Sequence, residues 1–390
     1  MPFDAFDFDA PVERAGTDSE KWMKYAGRDI LPLWVADMDF AAPSAVIAAL
    51  QARVAHGVFG YNQPTAGQTQ AVVDYLARQF DWPIEPSWIV WLPGLVSGLN
   101  VACRAVGETG DAVFTATPIY PPFLSAPKHA GRPVVSAPLV QGAQRWTWDF
   151  DAVDAALEKT KTRLFLLCHP HNPCGRAWDD DELQQIARLA EKHDLVICSD
   201  EIHNGLILSP RFSPSCQHRV FAALGEDIAA RTITLMAPSK TFNIPGLGAA
   251  FAVISDAGLR KQFSAAMAGI VPHTNLLGMA ALEAAFTQCD GWHAALLDYL
   301  RNNAQAVESA VANIPGLAMH PVEATYLAWI DAREFAKARD IANPAKHFEA
   351  HGLGLSDGAA FGAPGFVRLN FATRRALLDE ALARLAAACR

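Results

Sequence analysis

An alternation of strand-like and helix-like segments constrains the fold of this chain more than any other feature. Six short runs are almost continuously apolar: "IVW" at 89–91, "AVFT" at 112–115, "LFLLC" at 164–168, "LVIC" at 195–198, "TITL" at 232–235 and "AFAVI" at 250–254. Helical patterns lie between them. In 180–194, "DDELQQIARLAEKHD", apolar residues at 183, 186, 187, 189 and 190 recur at helical spacing behind aspartates that suit a helix start. Strands apolar on both faces, separated by helices, predict a mostly parallel sheet covered on both sides, an α/β architecture.

A chain of 390 residues, 51% of them apolar, can bury a large core, and its length predicts a big domain with a smaller companion. After about residue 275 the pattern changes. Segments 277–286 and 299–314 read as two long helices, followed by strands at 326–330 and 366–371 and a closing helix over 374–388. The first forty residues, rich in Asp, Pro and Trp, read as an arm packing back onto the rest. The net charge of −9 argues against general nucleic-acid binding. Seven scattered cysteines (103, 168, 174, 198, 216, 289, 389), odd in number and without a CxxC pair, predict a reducing, cytoplasmic setting and no metal centre. No basic-plus-apolar leader opens the sequence, and no apolar run approaches the ~18 residues of a membrane span.

In such sheets ligands sit beyond the carboxyl ends of the strands, so the residues there carry the functional signal. After 89–91 comes "LPGLVSGLN", a glycine-bearing turn opening a helix at Leu95 and Val96. After 112–115 comes "TPIYPPF" with Tyr120; after 164–168, "HPHNPCG" with Asn172; after 195–198, "DEIH" with Asp200 and His203; after 232–235, "APSK" with Ser239 and Lys240. Taken singly each has an ordinary reading: Asp200 as a helix cap, Asn172 before a proline as a turn residue, Tyr120 as packing, Lys240 as a surface loop lysine. Their convergence on one sheet edge is the informative feature.

Together, and in this order, these residues resemble the pyridoxal-phosphate enzymes of the aspartate-aminotransferase fold. Asn172 precedes Asp200 by 28 positions, Lys240 follows it by 40, and Arg368 lies far downstream in "FVRLNFATRR". The resemblance implies a large pyridoxal 5'-phosphate domain over 45–284 and a smaller domain from 1–44 and 285–390 that includes the arm. It implies that Lys240 forms the Schiff base with the cofactor, that Asp200 pairs with the ring nitrogen, and that Asn172 donates to the ring oxygen while Tyr120 stacks on its face. Backbone N–H groups of Leu95 and Val96, with the Ser239 hydroxyl, would hold the phosphate at a helix N-terminus. Arg368 would grip the substrate carboxylate through its planar fork, while Arg374 and Arg375 read as surface charges.

Within that fold, "LPLWVADMDFAAP" at 31–43, "GVFGYNQPT" at 57–65, "SDEIH" and "SKTFNIPGLG" are similar to the MalY/PatB family of cystathionine β-lyases, or C–S lyases, over roughly residues 3–388. Two positions depart from the common aminotransferase pattern. His203 stands where a tyrosine is frequent, three residues after the aspartate, and Gly248 stands where a phosphate-binding cation is frequent, eight after the lysine. The family implies that Tyr61 reaches the phosphate of a neighbouring subunit, hence a homodimer with shared sites. Leu95, Asn62 and the Asn204-Gly205 pair depart from the family itself and leave the preferred substrate open. The implied reaction is β-elimination from L-cystathionine or a cysteine S-conjugate, with Lys240 or Tyr120 assisting the leaving thiolate. Transamination shares most of these residues and stays open as the alternative. A non-enzymatic regulator is disfavoured, because no basic DNA-binding domain is visible.

Overall fold

A computed structural model describes residues 6–208 and 218–390, so Cys216 of the cysteine count lies outside the described residues. The central sheet has seven strands: β1 (Ile89–Leu92), β2 (Ala112–Thr117), β3 (Val134–Pro138), β4 (Thr162–Cys168), β5 (Val196–Asp200), β6 (Thr232–Met236) and β7 (Ala250–Val253). Their spatial order is β1-β7-β6-β5-β4-β2-β3. The run β6-β5-β4-β2-β3 is parallel, and β7 is antiparallel to both of its neighbours.

Connections explain that one reversal. Helix Asp180–Lys192 carries the chain from the end of β4 back to the start of β5, as a parallel pair requires. Its N-terminus is a capping box, Asp179 accepting from the Glu182 amide while Glu182 accepts from that of Asp179. The link from β6 to β7 has only a single 3₁₀ turn, Pro245–Leu247, so the chain turns back at the same sheet edge. Lys240 stands in that link. Sequence pattern misses β3, because "VVSAP" lies between Pro133 and Pro138 at the sheet edge, where proline is tolerated but masks a strand.

Alternation along β4 divides the core. Leu164 and Leu166 enter one apolar cluster with Leu99, Phe123 and Phe263; Phe165 and Leu167 enter the opposite one with Leu183, Ile186 and Trp178. Truncating Phe165, wholly buried, to alanine would cost about 3–5 kcal/mol. A second sheet, with spatial order β8 (Leu327–Asp331), β10 (Phe366–Asn370), β9 (Ser356–Asp357), is antiparallel. Helices Leu276–Gln288, Asp290–Ala312 and Arg375–Ala388 accompany it, close to the segments that sequence pattern marks as helical.

The N-terminal arm does pack back. Leu31–Pro32 pairs in parallel with Leu353–Gly354, and the Asn370 amide donates to the Leu33 carbonyl at 2.9 Å. Charges fasten its underside: Arg14 pairs with Asp37 and Asp39, both at 2.7 Å, and the fully buried Lys21 pairs with Asp39 at 2.8 Å. Removing one member of such a buried set leaves a charge without its partner and is strongly destabilising. Among the described residues no helix is long and apolar enough to cross a membrane.

Candidate active site

The carboxyl ends of β2, β4, β5 and β6 place Tyr120, Asn172, Asp200 and Lys240 on one edge of the sheet. Asp200 is the last residue of β5, buried, with Oδ1 accepting from the Ile202 amide at 3.2 Å. Burial raises its carboxyl from 3.8 to about 7; neighbouring Glu201 raises it further, against the Ile202 amide and the Lys240 charge. Among the described residues its carboxylate forms no salt bridge, although the Lys240 charge acts on it from a distance.

Lys240 has the complementary perturbation. Burial lowers its ammonium from 10.5 to about 8, and the nearby Arg368 charge acts in the same sense, while Asp37 and Asp200 oppose it. That change raises the fraction of neutral, nucleophilic amine near neutral pH roughly 300-fold. Its Nζ donates to the Ala36 carbonyl of the arm at 2.6 Å. Asn243, three residues on at φ 54°, fastens the same arm: its Nδ2 donates to the Met38 and Phe40 carbonyls and its Oδ1 accepts from the Met38 amide.

Arg368 enters from the middle of β10 and is almost fully buried. Nη1 donates to Asn172 Oδ1 at 2.9 Å, Nη2 donates to the Trp34 carbonyl at 2.8 Å and to Ser356 Oγ at 3.3 Å, and the guanidinium lies 4.8 Å from the Phe361 ring centre. Its Nε–H has no partner, and burial lowers its proton affinity to about 10. The Tyr120 amide donates to the Asn172 carbonyl at 3.1 Å, which ties the turns after β2 and β4 together. Burial raises the Tyr120 phenol, countered by the Arg368 charge.

His203 is buried, its Nδ1 unpartnered and its ring 6.0 Å from that of Tyr326 in an edge-on arrangement. Burial, then the Lys240 and Arg368 charges, hold it well below the usual imidazole range, so it stays neutral. Helix Leu95–Ala105 begins behind Gly94 with no side-chain cap, leaving the amides of Leu95 and Val96 free for an anion. Ser239 immediately precedes Lys240. Gly248 adopts φ 58°, and a Cβ there would meet the Pro93 carbonyl at 3.1 Å, so a bulky cation does not suit this turn. Tyr61 is wholly exposed, apart from this chain's own cluster. No group of three or more metal-ligating side chains occurs among the described residues.

The structure adds members that sequence pattern did not mark: the Trp34 and Ala36 carbonyls, Ser356, Tyr326 and Asn370. Only Asn370, a polar residue inside the apolar strand "FVRLNF", left a signal in sequence.

The model of the family "Aminotransferase class I and II" matches residues 28–385. Cystathionine beta-lyase PatB of Bacillus subtilis (strain 168) is 35% identical over 389 residues, 98% of this chain and 99% of that protein. Among solved structures, OvoB superposes with a TM-score of 0.93 at 46% identity, covering 98% of this chain and 99% of OvoB. The PLP-bound C-S lyase from Staphylococcus hominis superposes with a TM-score of 0.92 at 29% identity, covering 99% of this chain and 98% of that one.

Proposed function

The chain belongs to the aminotransferase class I and II family, and we propose that it is a carbon–sulfur β-lyase dependent on pyridoxal 5'-phosphate. Its substrate is L-cystathionine or a related cysteine S-conjugate, and its products are pyruvate, ammonia and a thiol. One observation carries this reading: Asn172, Asp200 and Lys240 share the carboxyl edge of the sheet, and the buried Arg368 guanidinium reaches them through a 2.9 Å hydrogen bond to Asn172.

The residues fit the cofactor. Asp200, with no salt bridge among the described residues, would pair with a protonated ring nitrogen; the uncapped helix start at Leu95 and Val96, with Ser239, would suit a phosphate; Lys240 would be the amine for the covalent link. Asn172 has its Oδ1 engaged by Arg368, so its amide N–H groups remain to donate to the ring oxygen. Tyr120 would stack on the ring, and His203, buried near Tyr326, would be a further cofactor contact. When bound, pyridoxal phosphate supplies an electron-withdrawing ring joined to the substrate nitrogen, which makes the Cα–H bond acidic.

Arg368 receives the substrate carboxylate and so fixes the amino acid about Cα. The Lys240 amine takes the α-proton and becomes an ammonium. That ammonium, or the Tyr120 phenol, gives a proton to the sulfur as its bond to Cβ breaks. The site works as a homodimer in which Tyr61 serves the partner's phosphate. Its full exposure, next to exposed Val58 and Phe59 in the chain, supports this. The protein works in a cytoplasmic setting, supported by six described cysteines that are all free thiols.

Pyridoxal-loaded protein given cystathionine, with no keto acid present, should release pyruvate and free thiol over many turnovers. A single equivalent of reaction that stops until 2-oxoglutarate is added would overturn the lyase reading in favour of an aminotransferase.

A further inference from the structure

Four consecutive carbonyls of the arm are gripped by side chains. The Trp34 carbonyl accepts from Arg368 Nη2 and from Ser356 Oγ, at 2.8 and 2.9 Å. The Val35 and Asp37 carbonyls both accept from Asn370 Nδ2 at 2.6 Å. Between them the Ala36 carbonyl accepts from the Tyr326 hydroxyl at 2.9 Å and from Lys240 Nζ at 2.6 Å. Tyr326 and Asn370 are buried, and neither has a place in the chemistry described above.

We propose that Tyr326 and Asn370 are positioning residues that hold the Ala36 carbonyl as the docking partner of the Lys240 amine whenever that amine is not joined to the cofactor. The inference rests on the reading of Lys240 as the cofactor's amine and deepens it. A lysine released from its covalent link regains four side-chain torsions, and in a half-buried site shielded from most water its N–H groups favour a fixed acceptor. One N–H given to Ala36 satisfies that need and leaves the nitrogen lone pair free to accept the α-proton. After proton transfer the ammonium keeps the same acceptor, with the Asp37 carboxylate nearby to attract it. It then gives the proton to the departing sulfur and returns to the neutral amine, so protons balance over the cycle. The single acceptor atom serves both protonation states, and the amine need not change partner between the two transfers.

The alternative is that Tyr326 and Asn370 merely anchor the arm. Both are tested on the pyridoxal-loaded enzyme with excess L-alanine, which has no leaving group on Cβ. Exchange of the α-proton for deuterium is followed by NMR, and acetylation of Lys240 by acetic anhydride is followed by mass spectrometry. In Tyr326→Phe, exchange should fall about 10-fold or more while Lys240 is acetylated several-fold faster, with the visible cofactor absorbance retained. Asn370→Ala should move both readouts the same way, and it keeps the test intact if the first variant folds poorly. Unchanged exchange in the folded variants, or slower exchange without faster acetylation, would overturn the proposal. A Lys240→Ala variant that keeps the absorbance of the linked cofactor with no amino acid present would instead overturn the functional reading beneath it.

Discussion

Arg368 and Asn172 are joined by a 2.9 Å hydrogen bond from Nη1 to Oδ1, linking the antiparallel sheet to the turn after β4 across 196 residues of chain. That bond couples the group proposed to receive the substrate carboxylate to the group proposed to touch the cofactor ring. The Trp34 carbonyl and Ser356 hydroxyl hold the other nitrogen, so the fork is fixed before substrate arrives.

Arg368→Lys keeps a charge but loses the planar fork. The apparent affinity for the amino acid should weaken roughly 10- to 100-fold, with the cofactor absorbance intact. Steady-state kinetics and a visible spectrum check this, and an unchanged KM would remove Arg368 from carboxylate binding.

Asp200 gives a pH signature. Its proton is held more tightly in the folded protein, with 3.8 raised to about 7, so its contribution to stability is present below the first value and lost as pH rises through the second. Without cofactor, the parent should therefore lose stability relative to Asp200→Asn between about pH 4 and pH 7, by an amount on the order of a few kcal/mol. Glu201, likewise raised to about 7 by burial, is present in both proteins and interacts with Asp200, so the difference between them reads Asp200 together with that coupling. Thermal melts of the two proteins across that range test it; parallel curves would show that Asp200 is not desolvated.

Glu201 is wholly buried and gathers three groups: Ser199 Oγ at 2.8 Å, the Phe221 amide at 3.1 Å and His218 Nε2 at 2.5 Å. Glu201→Ala leaves them without an acceptor and should cost about 3 kcal/mol or more. Glu201→Gln keeps an acceptor oxygen and should cost less. Denaturant melts compare the two, and equal losses would show that the network is not what holds this corner of the site.

Subunit sharing is testable by complementation. Tyr61→Phe and Lys240→Ala homodimers should each be impaired, with the second losing the absorbance of the linked cofactor and roughly 1,000-fold or more in turnover. Mixed dimers should regain activity, because one of their two sites has both native side chains. Mixtures no more active than the separate variants would place Tyr61 in its own subunit's site.

The apolar runs that became β1, β2 and β4 to β7 are legible in the sequence, because burying both faces of a parallel strand requires near-continuous hydrophobic residues. Their polar carboxyl ends made Asn172, Asp200 and Lys240 legible for the same reason: the polarity stands out where the burial stops. The edge strand β3, between two prolines, lacked that contrast. What stayed hidden was the arm's share of the site, since a backbone carbonyl has no letter of its own and Ala36 reads like any other alanine.

A mostly parallel α/β sheet and the strand ends that carry polar side chains follow from the order of residues alone, since periodicity and composition reflect burial directly. That Lys240 meets a carbonyl 204 residues earlier in the chain, held by Tyr326 and flanked by carbonyls that Asn370 grips, became apparent only in the folded molecule. Such contacts arise from how arm, sheet and loop close upon one another, and closure over such separations leaves no local pattern to read.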